Sequence, residues 1–154
     1  MEVSYQVNNQ QYKAIGFKNN AGGYELRSEH FKGSSSPKFI SYVNNQAKEL
    51  AVYEGFFDLL AHESSRVNQP QLTNYLVLNS LAFFERSLLL MEKHGRIKLY
   101  LDNDEAGKKY TLQAVKRSNR FSDESNCYKG FKDLSEWWAG AGRQQKQSLG
   151  LRRY

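Results

Sequence analysis

The stretch Tyr100-Leu101-Asp102-Asn103-Asp104-Glu105-Ala106-Gly107 decides how this chain folds. It closes an apolar run, Ile97 to Leu101, with two carboxylates at positions i and i+2, and then passes into a segment with a helical pattern. In extended backbone, side chains two residues apart point the same way and sit roughly 7 Å apart, from a rise of about 3.3 Å per residue. That spacing suits a divalent cation. A second apolar run, Leu50-Ala51-Val52-Tyr53, ends in Glu54-Gly55-Phe56-Phe57-Asp58, so a second strand delivers a carboxylate at its carboxyl end.

Outward from these two motifs the chain alternates strand and helix. Strand Glu49 to Tyr53 precedes helix Phe56 to Ser64, and strand Tyr75 to Leu78 precedes helix Leu81 to His94, with Leu81, Phe84, Leu88 and Met91 on one helical face. Strand Ile97 to Leu101 precedes helix Ala106 to Arg117, and a strand near Asn126-Cys127-Tyr128 precedes a last helix from about Leu134. Repeated β then α implies an α/β fold with a mostly parallel sheet flanked by helices. In such a sheet every strand's carboxyl end lies along one edge, and ligands bind in the crevice outside it. Glu54 and Asp102 therefore share an edge whatever the strand order, and neighbouring strands would start them about 4.8 Å apart. Mg²⁺ (or Mn²⁺) resolves the repulsion of such a cluster, since it accepts a few carboxylates plus waters and substrate phosphates.

The segment before about residue 45 has a different texture, with short strands Tyr12–Phe17, Gly23–Arg27 and Lys38–Tyr42 between turns rich in Asn, Gly and Ser. Lys13, Lys18, Arg27, Lys32 and Lys38 interleave there with aromatic residues. The sequence thus divides into a basic β-rich subdomain (1–45), an α/β domain (46–138) and a basic flexible tail (139–154). A net charge of +6 and a pI near 9.4 favour a polyanionic partner. At 154 residues the chain is long enough to bury a core. No apolar run approaches a membrane span and the polar start lacks the plan of a signal peptide, so the expected compartment is the cytoplasm, with no membrane partner. Cys127 is the sole cysteine, which excludes an internal disulfide and a multi-cysteine zinc site.

Each candidate has a plainer reading beside it. Asn103 or Asp104 can cap the following helix, Asp58 can complement a helix dipole, and Asp133 can cap the last helix. Lys108 and Lys109 can reach phosphate or remain solvated. Trp137 and Trp138 are better placed in a core than on a base.

The two acidic motifs resemble those of the Toprim domain, the α/β module of bacterial primases, type IA and type II topoisomerases and some nucleases. Glu54-Gly55-Phe56-Phe57-Asp58 is closer to the primase form, and Lys132-Asp133-Leu134-Ser135-Glu136 is similar to a later Lys-Asp-x-x-Glu segment of primases, with Ser135 where many carry Asp. Ala14-Ile15-Gly16-Phe17, Gly22 to Arg27 and Ser36 to Ile40 resemble the basic half of a primase core. The resemblance implies a catalytic-core fragment of a larger primase-like protein of a mobile element, without the zinc module and helicase-contacting domain of a typical bacterial primase. It further implies Mg²⁺-dependent joining of ribonucleotides, from nucleoside triphosphates, on a single-stranded DNA template, with a replicative helicase reached through regions outside this chain. On that reading Asp102 and Asp104 bind metal, Asp58 and Asp133 are further ligands, and Glu54 joins the cluster or assists proton transfer. Lys13, Lys18, Arg27, Lys32 and Lys38 hold template or nucleotide, joined by Lys108 and Lys109. A Toprim nuclease and a non-catalytic nucleic-acid-binding module are the alternatives.

Overall fold

The computed structural model describes residues 1–66 and 72–140. Strands β1 (Glu2–Val7), β2 (Gln10–Lys18), β3 (Tyr24–Arg27) and β4 (Lys32–Ser34) form an antiparallel sheet in that order. β1 and β4 extend the sequence-based expectation. β1 carries an alternation, Val3, Tyr5 and Val7, and is joined to β2 by Asn8 and Asn9 at φ 48° and 61°, the left-handed pair that a two-residue hairpin turn demands. β4 lies in a stretch that reads as a turn. Its Gly33 lies under the ring of Phe31, which leaves no room for a Cβ.

Alternation along β2 sorts the basic residues between the two faces of this sheet. Phe17 marks the inner face, where its ring stacks on Phe56 at 5.3 Å with planes 4° apart. Lys13 and Ile15 share that face by alternation. Arg27, opposite Ile15, and Lys32, opposite Arg27, share it by register. Lys18 falls on the outer face.

The second sheet has the order β5-β7-β6-β8-β9, built from β5 (Ser41–Val43), β6 (Glu49–Tyr53), β7 (Asn74–Val77), β8 (Arg96–Tyr100) and β9 (Phe121–Asp123). All pairings are parallel except that of β5, which runs antiparallel to β7. Two strand expectations are corrected here. The strand expected at Lys38–Tyr42 with the β-rich segment is β5, and it joins the second sheet because the slot beside β3 is filled by β4 through the tight turn Ser28 N–H to Phe31 C=O, 2.8 Å. The strand expected at Asn126–Tyr128 lies earlier, at β9, and residues Ser125–Tyr128 form a 3₁₀ turn. Tyr128 is fully buried as an anchor, its hydroxyl donating to Leu101 C=O at 2.6 Å, whereas Phe121 provides the apolar side chain that the sheet pairs with Ile97.

The helices follow the expected pattern: α1 (Phe56–Ser65), α2 (Phe84–Met91, entered through a 3₁₀ turn at Leu81–Phe83), α3 (Glu105–Arg117), and α4 over residues 134–140. The proposed tail is helical at 139 and 140, and 141–154 lie outside the described residues. No helix among the described residues is long and apolar enough to cross a membrane.

Central strand β6 is apolar on both faces because it is covered on both. Leu50 and Val52 join Leu76, Ile97, Leu99, Phe84, Met91 and Ala114 in a core beneath α2 and α3. Ala51 and Tyr53 join Phe56, Leu59, Tyr100, Tyr128 and Leu134 in a second core, against which Phe17, Trp137 and Trp138 are partly buried. Phe17 thus docks the first sheet onto the second core. Within that core the Tyr53 hydroxyl meets His62 Nδ1, and burial, reinforced by Arg66 and Lys98, pushes the His62 imidazolium down to a pKa of about 4.

Two connections fix the acidic loop after β8. Asp104 caps α3, accepting from Gly107 N–H at 2.8 Å, and Gly107 brings the first turn of α3 against the backbone of Asp102. A Cβ at position 107 would overlap the Asp102 carbonyl oxygen and approach its carbon and nitrogen to 3.0 and 3.1 Å.

Gly107→Ala should therefore destabilise the protein. The usual helical gain of about 1 kcal/mol is outweighed by a backbone clash of about 1–3 kcal/mol, so the urea midpoint is expected to fall. His62 gives a second expectation. Its folded pKa lies below the unfolded value near 6.5, so the stability it contributes is present above pH 6.5 and lost as pH falls towards 4. Thermal melts at pH 7 and pH 4.5 should show a larger loss for the native protein than for His62→Gln.

Candidate active site

β6 and β8 are parallel neighbours with Tyr53 opposite Tyr100, so the chain leaves both strands side by side at the same edge. Glu54 follows one and Asp102 the other. The two are joined directly, because Asp102 N–H donates to Glu54 Oε2 at 3.2 Å. They open on a cleft of about 330 Å³ that Asp58 and Asp133 also line.

Asp58 is 6 % exposed and spans two elements. Its Oδ2 accepts from Gly55 N–H at 3.3 Å, closing the first turn of α1, and its Oδ1 accepts from Ser135 N–H at 3.1 Å, at the start of α4. Asp133 caps α4 through Oδ1, which accepts from Glu136 N–H at 2.7 Å and Ser135 Oγ–H at 2.8 Å. Asp104 is exposed and caps α3, and its charge still reaches Glu54. Asn103, between the two aspartates, ties the loop to the segment before α4: its N–H donates to Lys132 C=O at 2.6 Å and its amide to Phe131 C=O at 3.0 Å.

The electrostatics of the cleft are those of an under-compensated anionic site. Burial pushes the Asp102 carboxyl up to about 7, with the charges of Glu54, Asp58 and Asp133 adding and Lys132 opposing. Burial, then Asp133, pushes Asp58 up to about 6 against the bonds it accepts from Ser135 and Gly55 N–H. Glu54 is raised chiefly by burial and further by Asp104, against the Asp102 N–H, Lys132 and Lys32. Among the described residues, the one ion pair to these carboxylates is long: Lys132 Nζ lies 3.9 Å from Asp102 Oδ2 and is 63 % exposed.

Such a site suits a hard divalent cation. Every donor is oxygen, the carboxylates repel one another, and Asn79, on the same cleft, keeps a buried Oδ1 with no hydrogen-bond partner among the described residues. Among the described residues, no three His, Cys, Asp or Glu side chains stand close enough to form a ready-made cage. The set therefore fits an ion that retains waters or substrate oxygens, as Mg²⁺ does.

The opposite wall is the inner face of the first sheet. Arg27 and Lys32 line the cleft, with the Arg27 guanidinium 5.3 Å from the Phe57 ring centre, and Lys38 acts on Glu25, another lining residue. Lys13 is ion-paired to Glu2 at 2.9 Å in an adjoining groove that shares Arg27 and Phe57 with the cleft. Lys18 and Lys109 are exposed away from it, and Lys108 lies across the acidic loop. Sequence reasoning gave no role to Lys132, which entered only as part of a motif, nor to Asn79 and Glu25. Lys132 was legible as the residue before Asp133; Asn79, at φ 61° two residues beyond β7, offered only its place past the end of a third parallel strand.

The comparisons with known proteins agree with this architecture. No curated protein matches the chain. Residues 1–36 match a domain family of unknown function, and residues 51–138 match the Toprim-like family. Among solved structures, the crystal structure of the primase fragment of the bacteriophage T7 primase-helicase protein superposes with a TM-score of 0.62 at 15 % identity, over 98 % of this chain and 66 % of that one. This chain thus spans just under two thirds of that fragment. A structure of the bacteriophage T7 lagging-strand DNA polymerase interacting with primase domains of two gp4 subunits, bound to an RNA/DNA hybrid and dTTP, matches with a TM-score of 0.59 at 17 % identity, over 96 % of this chain and 80 % of that one. At such identities the likeness is one of fold. The family match covers more than half of the sequence and contains every carboxylate of the cleft contributed by β6, β8 and the start of α4, and on that match the chain belongs to the Toprim-like family.

Proposed function

We propose that this protein is a primase-type nucleotidyltransferase that joins ribonucleotides, taken from nucleoside triphosphates, into a primer on single-stranded DNA. The observation that carries the reading is the pairing of two walls: carboxylates from adjacent parallel strands, Glu54 and Asp102, face a sheet whose inner surface presents Arg27 and Lys32. A site that concentrates carboxylates opposite cations is suited to a substrate that brings both phosphate and metal.

Asp102, Glu54, Asp58 and Asp133 in the cleft, with Asp104 across the acidic loop, are the residues that would hold Mg²⁺ (or Mn²⁺). Bound there, the metal supplies Lewis acidity for the attacking 3′-hydroxyl and neutralises charge on the leaving pyrophosphate. The protein's own contribution is position and proton handling. Glu54 orients the loop by accepting the Asp102 N–H through Oε2, which leaves Oε1 for the proton of the attacking hydroxyl. Asp58 and Asp133 lock α4 against the cleft. Arg27 and Lys32 hold template or nucleotide phosphate, and Lys38 and Lys13 extend that cationic wall. In this reading residues 1–45, apart from β5, which belongs to the second sheet, act as the basic lobe and 46–138 as the metal-binding one. A replicative helicase is the partner beside which such an enzyme works; the T7 primase-helicase carries both names in one protein.

Asp102→Ala is the direct test. Incorporation of labelled ribonucleotides on single-stranded DNA with Mg²⁺ should fall at least about a hundredfold, while the fold survives, since the change relieves repulsion in the cleft. A variant that still primes normally would falsify the assignment. Cleavage of the same DNA with Mg²⁺ or Mn²⁺ in the absence of triphosphates would favour a nuclease instead. In thermal melts, Mg²⁺ should raise the transition of the native protein by mass action and leave Asp102→Ala nearly unmoved.

A further inference from the structure

The acidic loop separates two cavities of opposite charge. Asp102 lines the cleft described above, whereas Asn103 and Asp104 line a second cavity of about 560 Å³ behind it. Lys108, Lys129 and Lys132 converge there, with Phe131 as an aromatic wall that is 37 % exposed. Three lysines thus line a cavity with one carboxylate, Asp104, whose Oδ1 is already occupied by the Gly107 N–H. Lys132 makes only the long contact to Asp102, and neither Lys108 nor Lys129 forms an ion pair among the described residues.

This second cavity is built into the same framework as the acidic site. Asn103 N–H and its side-chain amide hold the backbone of Lys132 and Phe131, and Tyr128 fixes the base of that segment to Leu101. Gly130, at φ +89°, makes the turn that brings Lys129 and Lys132 to one side. Lys132 lines both cavities, so a single side chain borders each of them at the loop. Lysines act on phosphate as point charges without demanding a fixed geometry, which suits a sugar-phosphate backbone of any sequence. The aromatic wall offers a surface to a sugar or base.

We infer that this cavity is a phosphate-binding subsite that holds the nucleic-acid strand where it leaves the acidic cleft. The inference rests on the nucleotidyl-transfer reading for the presence of a strand in that cleft. Binding to the lysine cavity itself needs no metal.

The test is fluorescence anisotropy of a short labelled single-stranded DNA against the whole chain in EDTA, over a series of salt concentrations. Relative to the native protein, Lys108→Ala/Lys129→Ala should bind about tenfold more weakly at low salt. Its slope of log affinity against log salt should be shallower by about 1.4, from about 0.7 for each lost contact to a single strand. Lys93→Ala/Lys116→Ala removes the same charge elsewhere and should change both quantities much less. Unchanged binding in the first variant, or an equal loss in the second, overturns the inference. Calorimetric titration with pyrophosphate distinguishes the source of the phosphate: loss of pyrophosphate binding with DNA binding intact would assign the cavity to free polyphosphate and also overturn it. The anisotropy assay in EDTA reads strand binding without turnover, and the incorporation assay reads turnover, so failure of the catalytic reading and failure of this one are read in separate assays.

Discussion

The parallel pairing of β6 with β8 is the constraint on which the site depends. With Tyr53 set opposite Tyr100, the first residues beyond the two strands are neighbours, and the amide of Asp102 bonds to the carboxylate of Glu54. That register is in turn held by burial. A slip of one residue would exchange Leu50 and Val52 for Ala51 and Tyr53 between two differently shaped cores. Placement of charge at the sheet edge is therefore enforced by apolar packing several ångströms away from it.

The carboxylates around that edge divide their duties. Asp104, Asp58 and Asp133 each complete a helix start, and Glu54 steadies the loop between β8 and α3, so structural and chemical readings of these residues are not rivals. Capping consumes one oxygen of Asp104 and one of Asp133. Asp58 has both oxygens committed, though by bonds of 3.1 and 3.3 Å. A carboxylate so used is held in one rotamer, which is also what a site needs of an ion-binding group.

The α/β portion was legible in sequence because its signals are local. Apolar runs bounded by acidic turns identify β6 and β8, a 3.6-residue period identifies α2, and parallel topology then obliges Glu54 and Asp102 to share an edge. What was not legible came from contacts distant in the chain. Ser41–Val43 pairs with β7 rather than with the strands it follows, and Tyr128 owes its burial to a hydroxyl bond with Leu101 rather than to a strand. The basic residues were legible as a class, but only strand register separates Arg27 and Lys32, on the inner face, from Lys18 on the outer. Lys132 stood in a quoted motif without a role, because only the fold carries its ammonium across to Asp102.

Phe17 and Phe56 lie face to face, and Phe56 stands two residues from Glu54. The joint between the basic sheet and the parallel sheet is therefore also the footing of an acidic residue. Tilting one lobe away from the other would unstack these rings and pull on the first turn of α1. The spacing of the two sheets and the placement of Glu54 thus share one footing in this ring pair, which the Arg27 guanidinium over Phe57 reinforces.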